Sequence, residues 1–224
     1  MITAIGGGKL RVKGGICVRD GGICLSSRRN AKAAVEEVVA CMLGGFGIPS
    51  EIGIAAFHRV KSQNLIRRDV TYSELLTALS LPLELPGGKS TVYRFYNQKA
   101  RYLFDFLSND NTWNNHSFKD ATEFRSWLLK VKGIGPKTAS WIARNFLESD
   151  QVAILDIHLI RAFQIMKVFP LVVNIDKDYF HLEALFLDFC QALEVRPSVL
   201  DAVIWGVMKQ TNRTGISILN QQFK

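Results

Sequence analysis

The sequence predicts an all-α fold preceded by a short, glycine-rich, β-like arm. Three observations carry that expectation. Apolar residues recur at three- and four-residue spacing almost without a break from Asn30 onward. Helix-start signals stand before most of those runs, with Thr, Asp and Pro where caps and first turns need them. Glycine is crowded near the start instead, where Gly6, Gly7, Gly8, Gly14, Gly15, Gly21 and Gly22 are seven of the chain's 17. At 224 residues there is enough chain for a substantial core without disulfide or metal staples.

Residues 1–30 are expected to form a basic arm. In it KLRVKGGICVRDGGICL reads as two extended segments broken by Gly-Gly turns, the pattern of a β-hairpin. Residues 31–224 are expected to be the helical domain. Asn30 caps AKAAVEEVVACMLG, whose Ala34, Val35, Val38, Val39 and Met42 share one face before Gly44, Gly45 and Gly47 end it. A weaker helix starts at Ser50. Thr71 and Glu74 fit a capping box leading into LLTALS, which stops before Pro82. A longer helix is expected from Ser90 through TVYRFYNQKARYLFDFLSN. Asp120 caps ATEFRSWLLKVK, residues 133–137 turn the chain, and TASWIARNFLES follows. The apolar run QVAIL then meets Asp156 and a helix through IHLIRAFQIMKVF. One helix from about Lys177 to Leu193 and another through SVLDAVIWGVMKQ after Pro197 complete the set.

Charge adds a partner to this outline. The chain carries 28 Lys and Arg against 20 Asp and Glu, a formal +8. That balance favours an anionic partner, nucleic acid ahead of a membrane surface. The charge is in blocks: residues 1–32 hold seven basic and one acidic side chain, and residues 89–144 hold ten basic and four acidic. Each block nets +6, while the stretches between and after them are mildly acidic. The first block reads equally as a phosphate-holding arm and as a solubilising terminus. Cys17, Cys24, Cys41 and Cys190 show no C-x-x-C pair, no zinc spacing and no tight grouping for an iron–sulfur cluster. They are expected to be reduced thiols. No run of about 18 apolar residues and no signal-peptide core occurs, so a soluble cytoplasmic protein with no membrane partner is expected, nucleoid-associated in a prokaryote.

The chemistry is concentrated where two helices meet. Gly133 and Gly135 permit a tight reversal, and amides around Ile134 at a helix start favour an anion such as a DNA phosphate. The same Gly-x-Gly also suits any tight helix connection. Lys137 falls in the first turn of the second helix and shares a face with Trp141. A partly covered amine at the positive end of a helix dipole is placed as a nucleophile. Asp156 follows a short apolar run and can cap the next helix while still offering carboxylate oxygen.

LLKVKGIGPKTASWIARNF and VAILDIH resemble the hairpin and catalytic-Asp segments of the helix-hairpin-helix (HhH-GPD) DNA glycosylase superfamily. Within it, RFYNQKARYLFDFL and LDAVIWGVMK are similar to helices of the compact 8-oxoguanine DNA glycosylase/AP lyases. The likeness covers roughly residues 33–212 and leaves the arm out. It implies a two-lobed helical fold with the hairpin at about 120–148, and base-excision repair of an oxidised purine, 8-oxoguanine first. Lys137 would attack C1′ and form a Schiff base, allowing β-elimination, while Asp156 would stabilise positive charge on the sugar. Gly133, Ile134 and Gly135 would hold a phosphate, with a monovalent cation as an option, and His158 would contact a second phosphate. Trp205 would stack on the flipped base and Asp201, one turn earlier, would hydrogen-bond it. No metal or organic cofactor is obligatory and no iron–sulfur cluster is implied. The expected partner is double-stranded DNA with a flipped base, bound by a monomer. A wedge role for Trp113, Asn114, Asn115 and His116 and a base contact from Lys224 are further candidates. Two alternatives stay open: a non-catalytic helix-hairpin-helix DNA-binding module, and a glycosylase for another modified base, including one in foreign DNA.

Overall fold

The face predicted for the first helix is buried, with Val35, Val38, Val39 and Met42 of α1 (Ala31–Leu43) facing inward. The computed structural model describes residues 31–45, 47–113 and 118–222, together with four short strands within residues 1–30. Those strands pair antiparallel: β1 (Ala4–Ile5) with β2 (Lys9–Leu10), and β3 (Ile16–Arg19) with β4 (Gly22–Leu25). Around α1 pack α2 (Ser50–Ser62), α3 (Tyr72–Ser80), α4 (Tyr96–Leu107) and the hairpin helices α5 (Ala121–Leu128) and α6 (Pro136–Leu147). A second core gathers α7 (Ile157–Ile165), α8 (Ile175–Ala192) and α9 (Pro197–Gln222) around Phe163, Tyr179, Leu182 and Phe186. The chain passes from the first core to the second between Val152 and Ala153. These are the two lobes.

Local rules set most helix ends. Thr71 accepts from the Glu74 amide at 3.2 Å while Glu74 accepts from the Thr71 amide at 2.8 Å, a complete capping box. Asp120, Asp156 and Asn174 cap α5, α7 and α8 through their side chains. α2 can lie close on the end of α1 because position 53 is glycine. A Cβ there would stand 3.2 Å from both the Gly44 α-carbon and the Leu43 carbonyl oxygen.

The region after α3 departs from expectation. The helix predicted from Ser90 begins only at Tyr96. Before it, β5 (Leu83–Leu85) and β6 (Lys89–Thr91) form an antiparallel hairpin. Gly87 and Gly88, both at positive φ, make its turn. Tyr93 then buries completely and donates to the Leu43 carbonyl at 2.7 Å, so the chain crosses the end of α1 before it can coil. α9, in turn, runs beyond the predicted stretch, with a kink at Thr211, whose hydroxyl donates back to the Val207 carbonyl at 2.8 Å. In the predicted wedge, Trp113 belongs to a 3₁₀ turn (Asp110–Trp113) and its indole donates to the Leu107 carbonyl at 2.6 Å. Asn114, Asn115, His116 and Lys224 lie outside the described residues. Among those described, no helix is long and apolar enough to cross a membrane.

Two buried ion pairs join the lobes. Arg125 of α5 donates to both carboxylate oxygens of Glu183 on α8 at 2.5 Å. Arg144 of α6 donates to Asp201 of α9 at 2.6 Å.

Candidate active site

The hairpin is closed by backbone bonds. Val131 donates to the Leu128 carbonyl and Ile134 to the Val131 carbonyl, at 3.0 and 3.1 Å. Gly133 takes the left-handed backbone, φ +88°, that turns the chain. Ile134 buries its side chain as the anchor of the loop. Its amide donates to the Val131 carbonyl within the turn. Gly135 is the N-cap of α6, Pro136 fills the first turn, and the first intrahelical bond runs from Ala139 to the Gly135 carbonyl at 2.9 Å. Helix geometry leaves the amides of Lys137 and Thr138 without an intrahelical partner, a start suited to an anion.

Lys137 is exposed and opens on a cleft of about 580 Å3 between the end of α1, the start of α2, α6 and α8. Trp141, Cys41, Gly44, Tyr179 and Leu155 also line it. Leu155 directly precedes Asp156, so the neighbour of the predicted carboxylate shares a cavity with the predicted nucleophile. Asp156 is half-buried and its Oδ1 accepts from the Leu159 amide at 2.8 Å. The indole nitrogen of Trp141 is buried and meets no protein acceptor.

The remaining predicted residues gather elsewhere. His158 meets Trp205 edge-on, ring centroids 6.2 Å apart, and its Nδ1 is buried without a hydrogen-bond partner. Lys209 Nζ lies 4.5 Å from the centre of the Trp205 ring. Asp201 is 7% exposed and tied to Arg144, itself 4% exposed. Neither Asp201 nor Trp205 lines the cleft beside Lys137. Sequence reasoning placed Trp141 on the face of Lys137 but gave it no pocket role. Tyr179 was missed, for only the packing of α8 against the first lobe brings it there. Among the described residues, no cluster of three or more His, Cys, Asp or Glu side chains is placed to hold a metal ion.

Solved structures share this architecture. The 8-oxoguanine glycosylase/lyase of Methanocaldococcus jannaschii, in complex with a 15mer DNA containing 8-oxoguanine, superposes with a TM-score of 0.60 at 23% identity. That match covers 82% of this chain and 84% of the other. The 8-oxoguanine DNA glycosylase of Thermotoga maritima superposes with a TM-score of 0.57 at 22% identity, covering 80% and 81%. Fold and hairpin together define the class: a helical protein of the helix-hairpin-helix type. Residues 25–195 match the Ogg-HhH family, 8-oxoguanine DNA glycosylase, and the chain belongs to that family. A Sulfolobus acidocaldarius relative, an 8-oxoguanine DNA glycosylase/AP lyase, is 28% identical over 84% of this chain and 87% of its own length. The relative of the same description from Metallosphaera sedula is 34% identical over 120 residues, 52% of this chain. That match spans 59% of the Metallosphaera protein.

Proposed function

We propose that the protein removes 8-oxoguanine from double-stranded DNA and cuts the resulting abasic strand through a Schiff base on Lys137, acting as a monomer. The observation that carries this reading is the shared cleft of Lys137, Trp141 and Leu155, the residue before Asp156. The amine of Lys137 attacks C1′ as the glycosidic bond breaks, and the base leaves with a proton. Opening of the sugar ring gives a protonated imine. Loss of a C2′ proton expels the 3′ phosphate, and water then hydrolyses the imine to free Lys137. Asp156 holds its place through Oδ1 as a helix cap and offers Oδ2 to the positive charge that develops on the sugar.

The flipped base enters the cleft with Trp141 as its aromatic wall, in place of the Asp201–Trp205 pocket suggested by family likeness. The start of α6, with Gly133 and Gly135, and His158 take phosphates, and a monovalent cation at the hairpin would assist there. No metal or organic cofactor is obligatory for these steps. Borohydride trapping on a duplex carrying 8-oxoguanine tests the reading. A covalent adduct that disappears in Lys137→Gln is the expected result. Tight DNA binding with no adduct on any lesion duplex would instead leave a non-catalytic binding module.

A further inference from the structure

Among the described residues, no strand pairs with the segment that delivers Asp156. Residues 152–155 are buried and belong to no helix or strand, so their amides and carbonyls need partners, and the Asp156 amide supplies one locally, to the Ile154 carbonyl at 3.0 Å. Two side chains one turn apart on α8 supply three more, to Ala153 and Leu155. The Tyr179 hydroxyl donates to the Ala153 carbonyl at 3.0 Å and accepts from the Leu155 amide at 3.3 Å. The Glu183 carboxylate accepts from the Ala153 amide at 2.8 Å. Burial pushes the Tyr179 phenol up to about 12, so it remains a donor at working pH.

The same two residues reach the side that carries Lys137. Glu183 takes both its charge-assisted bonds from Arg125 of α5, and Arg125 also donates to the Ser140 hydroxyl of α6 at 3.2 Å. Ser140 lies three residues beyond Lys137, and Tyr179 lines the Lys137 cleft. Lys137 stands on one lobe and Asp156 opens the other. α8 therefore bonds on one side to Ala153 and Leu155, just ahead of Asp156, and on the other to Arg125, which holds Ser140 of the Lys137 helix.

We propose that Tyr179 and Glu183 are positioning residues, a side-chain strut from α8 that fixes where Asp156 stands relative to Lys137. The inference rests on the glycosylase/lyase reading given above. It makes Tyr179 act through Asp156, so the two should be coupled rather than additive.

The test is a double-mutant cycle on the full chain, read as single-turnover excision from an 8-oxoguanine duplex. Tyr179→Phe keeps the ring and removes both hydrogen bonds. It should slow excision about 10- to 100-fold with an unchanged Kd for the lesion duplex. In an Asp156→Asn background the same change should cost less than about twofold. Equal losses in both backgrounds, or wild-type speed in Tyr179→Phe, would overturn the proposal. Should Tyr179→Phe lose its fold by circular dichroism, Arg125→Met/Glu183→Leu repeats the cycle, replacing the buried pair with apolar groups of similar size. Amide exchange reads the strut without activity: Leu155 should lose protection in Tyr179→Phe, and unchanged protection overturns the proposal. A wild-type protein that excises no lesion counts against the functional reading alone.

Discussion

Gly133 lies against the ring of Tyr102. A Cβ at position 133 would stand 2.7 Å from the Tyr102 Cε2 and 2.9 Å from its Cγ, and the backbone there is left-handed. Gly133→Ala therefore meets two penalties, a strained φ of about 1–3 kcal/mol and a clash with α4. Gly135 has open space around it and an extended backbone. Thermal unfolding should show a clear drop in Tm for Gly133→Ala and a change within about 0.5 kcal/mol for Gly135→Ala. Equal effects would mean that Tyr102 does not brace the hairpin.

What could be read in advance was what depends on near neighbours. Thr71 with Glu74, Asp120 and Asp156 announce helix starts because the side chain of Thr71, Asp120 or Asp156 accepts from the amide three residues on. Lys137 and Trp141 were legible as one helix face. Tyr93 was not, for its place is decided by the Leu43 carbonyl 50 residues away, and the expected helix gave way to β5, β6 and a crossing segment. Asp201 shows the same limit. Its spacing from Trp205 is coherent for a pocket, yet its partner Arg144 is 57 residues distant, beyond the reach of any local pattern.

That pairing makes a prediction about Asp201. Asp201→Ala leaves the Arg144 guanidinium buried without its carboxylate, which should cost about 3–5 kcal/mol of stability. Arg144→Met/Asp201→Leu removes both charges and should recover most of that loss in denaturant unfolding. If Asp201 serves the fold, the double variant keeps excising 8-oxoguanine at low temperature. A double variant that is folded, binds DNA and has lost lesion preference would return Asp201 to the base.

Acid stability has a local probe in α3. The Thr71 amide first, then the Arg67 guanidinium, lower Glu74 from 4.5 to about 2. A depressed carboxyl adds stability that is complete above its unfolded pKa and disappears as pH falls through the folded value. Glu74 should thus contribute at pH 6, lose part of that contribution below about 4.5 and all of it below about 2. Glu74→Gln should lower stability at pH 6 and match the wild type near pH 2. A constant difference across that window would assign the cap's effect to shape rather than charge.

Trp141 and Trp205 should separate under the same substitution. Trp141 lines the cleft beside Lys137, whereas Trp205 packs on His158 with Lys209 over its ring. Stacking on an aromatic wall is worth about 1–3 kcal/mol per base, so Trp141→Ala should weaken binding to a lesion duplex roughly 5- to 150-fold. Its affinity for undamaged duplex, which presents no flipped base, should hardly change. Trp205→Ala removes the ring that His158 packs on and, if His158 takes a phosphate as proposed, should weaken both duplexes together. Paired Kd measurements at one salt concentration decide between the two sites. Selective loss in Trp205→Ala, with Trp141→Ala neutral, would place the base against α9 instead of in the cleft.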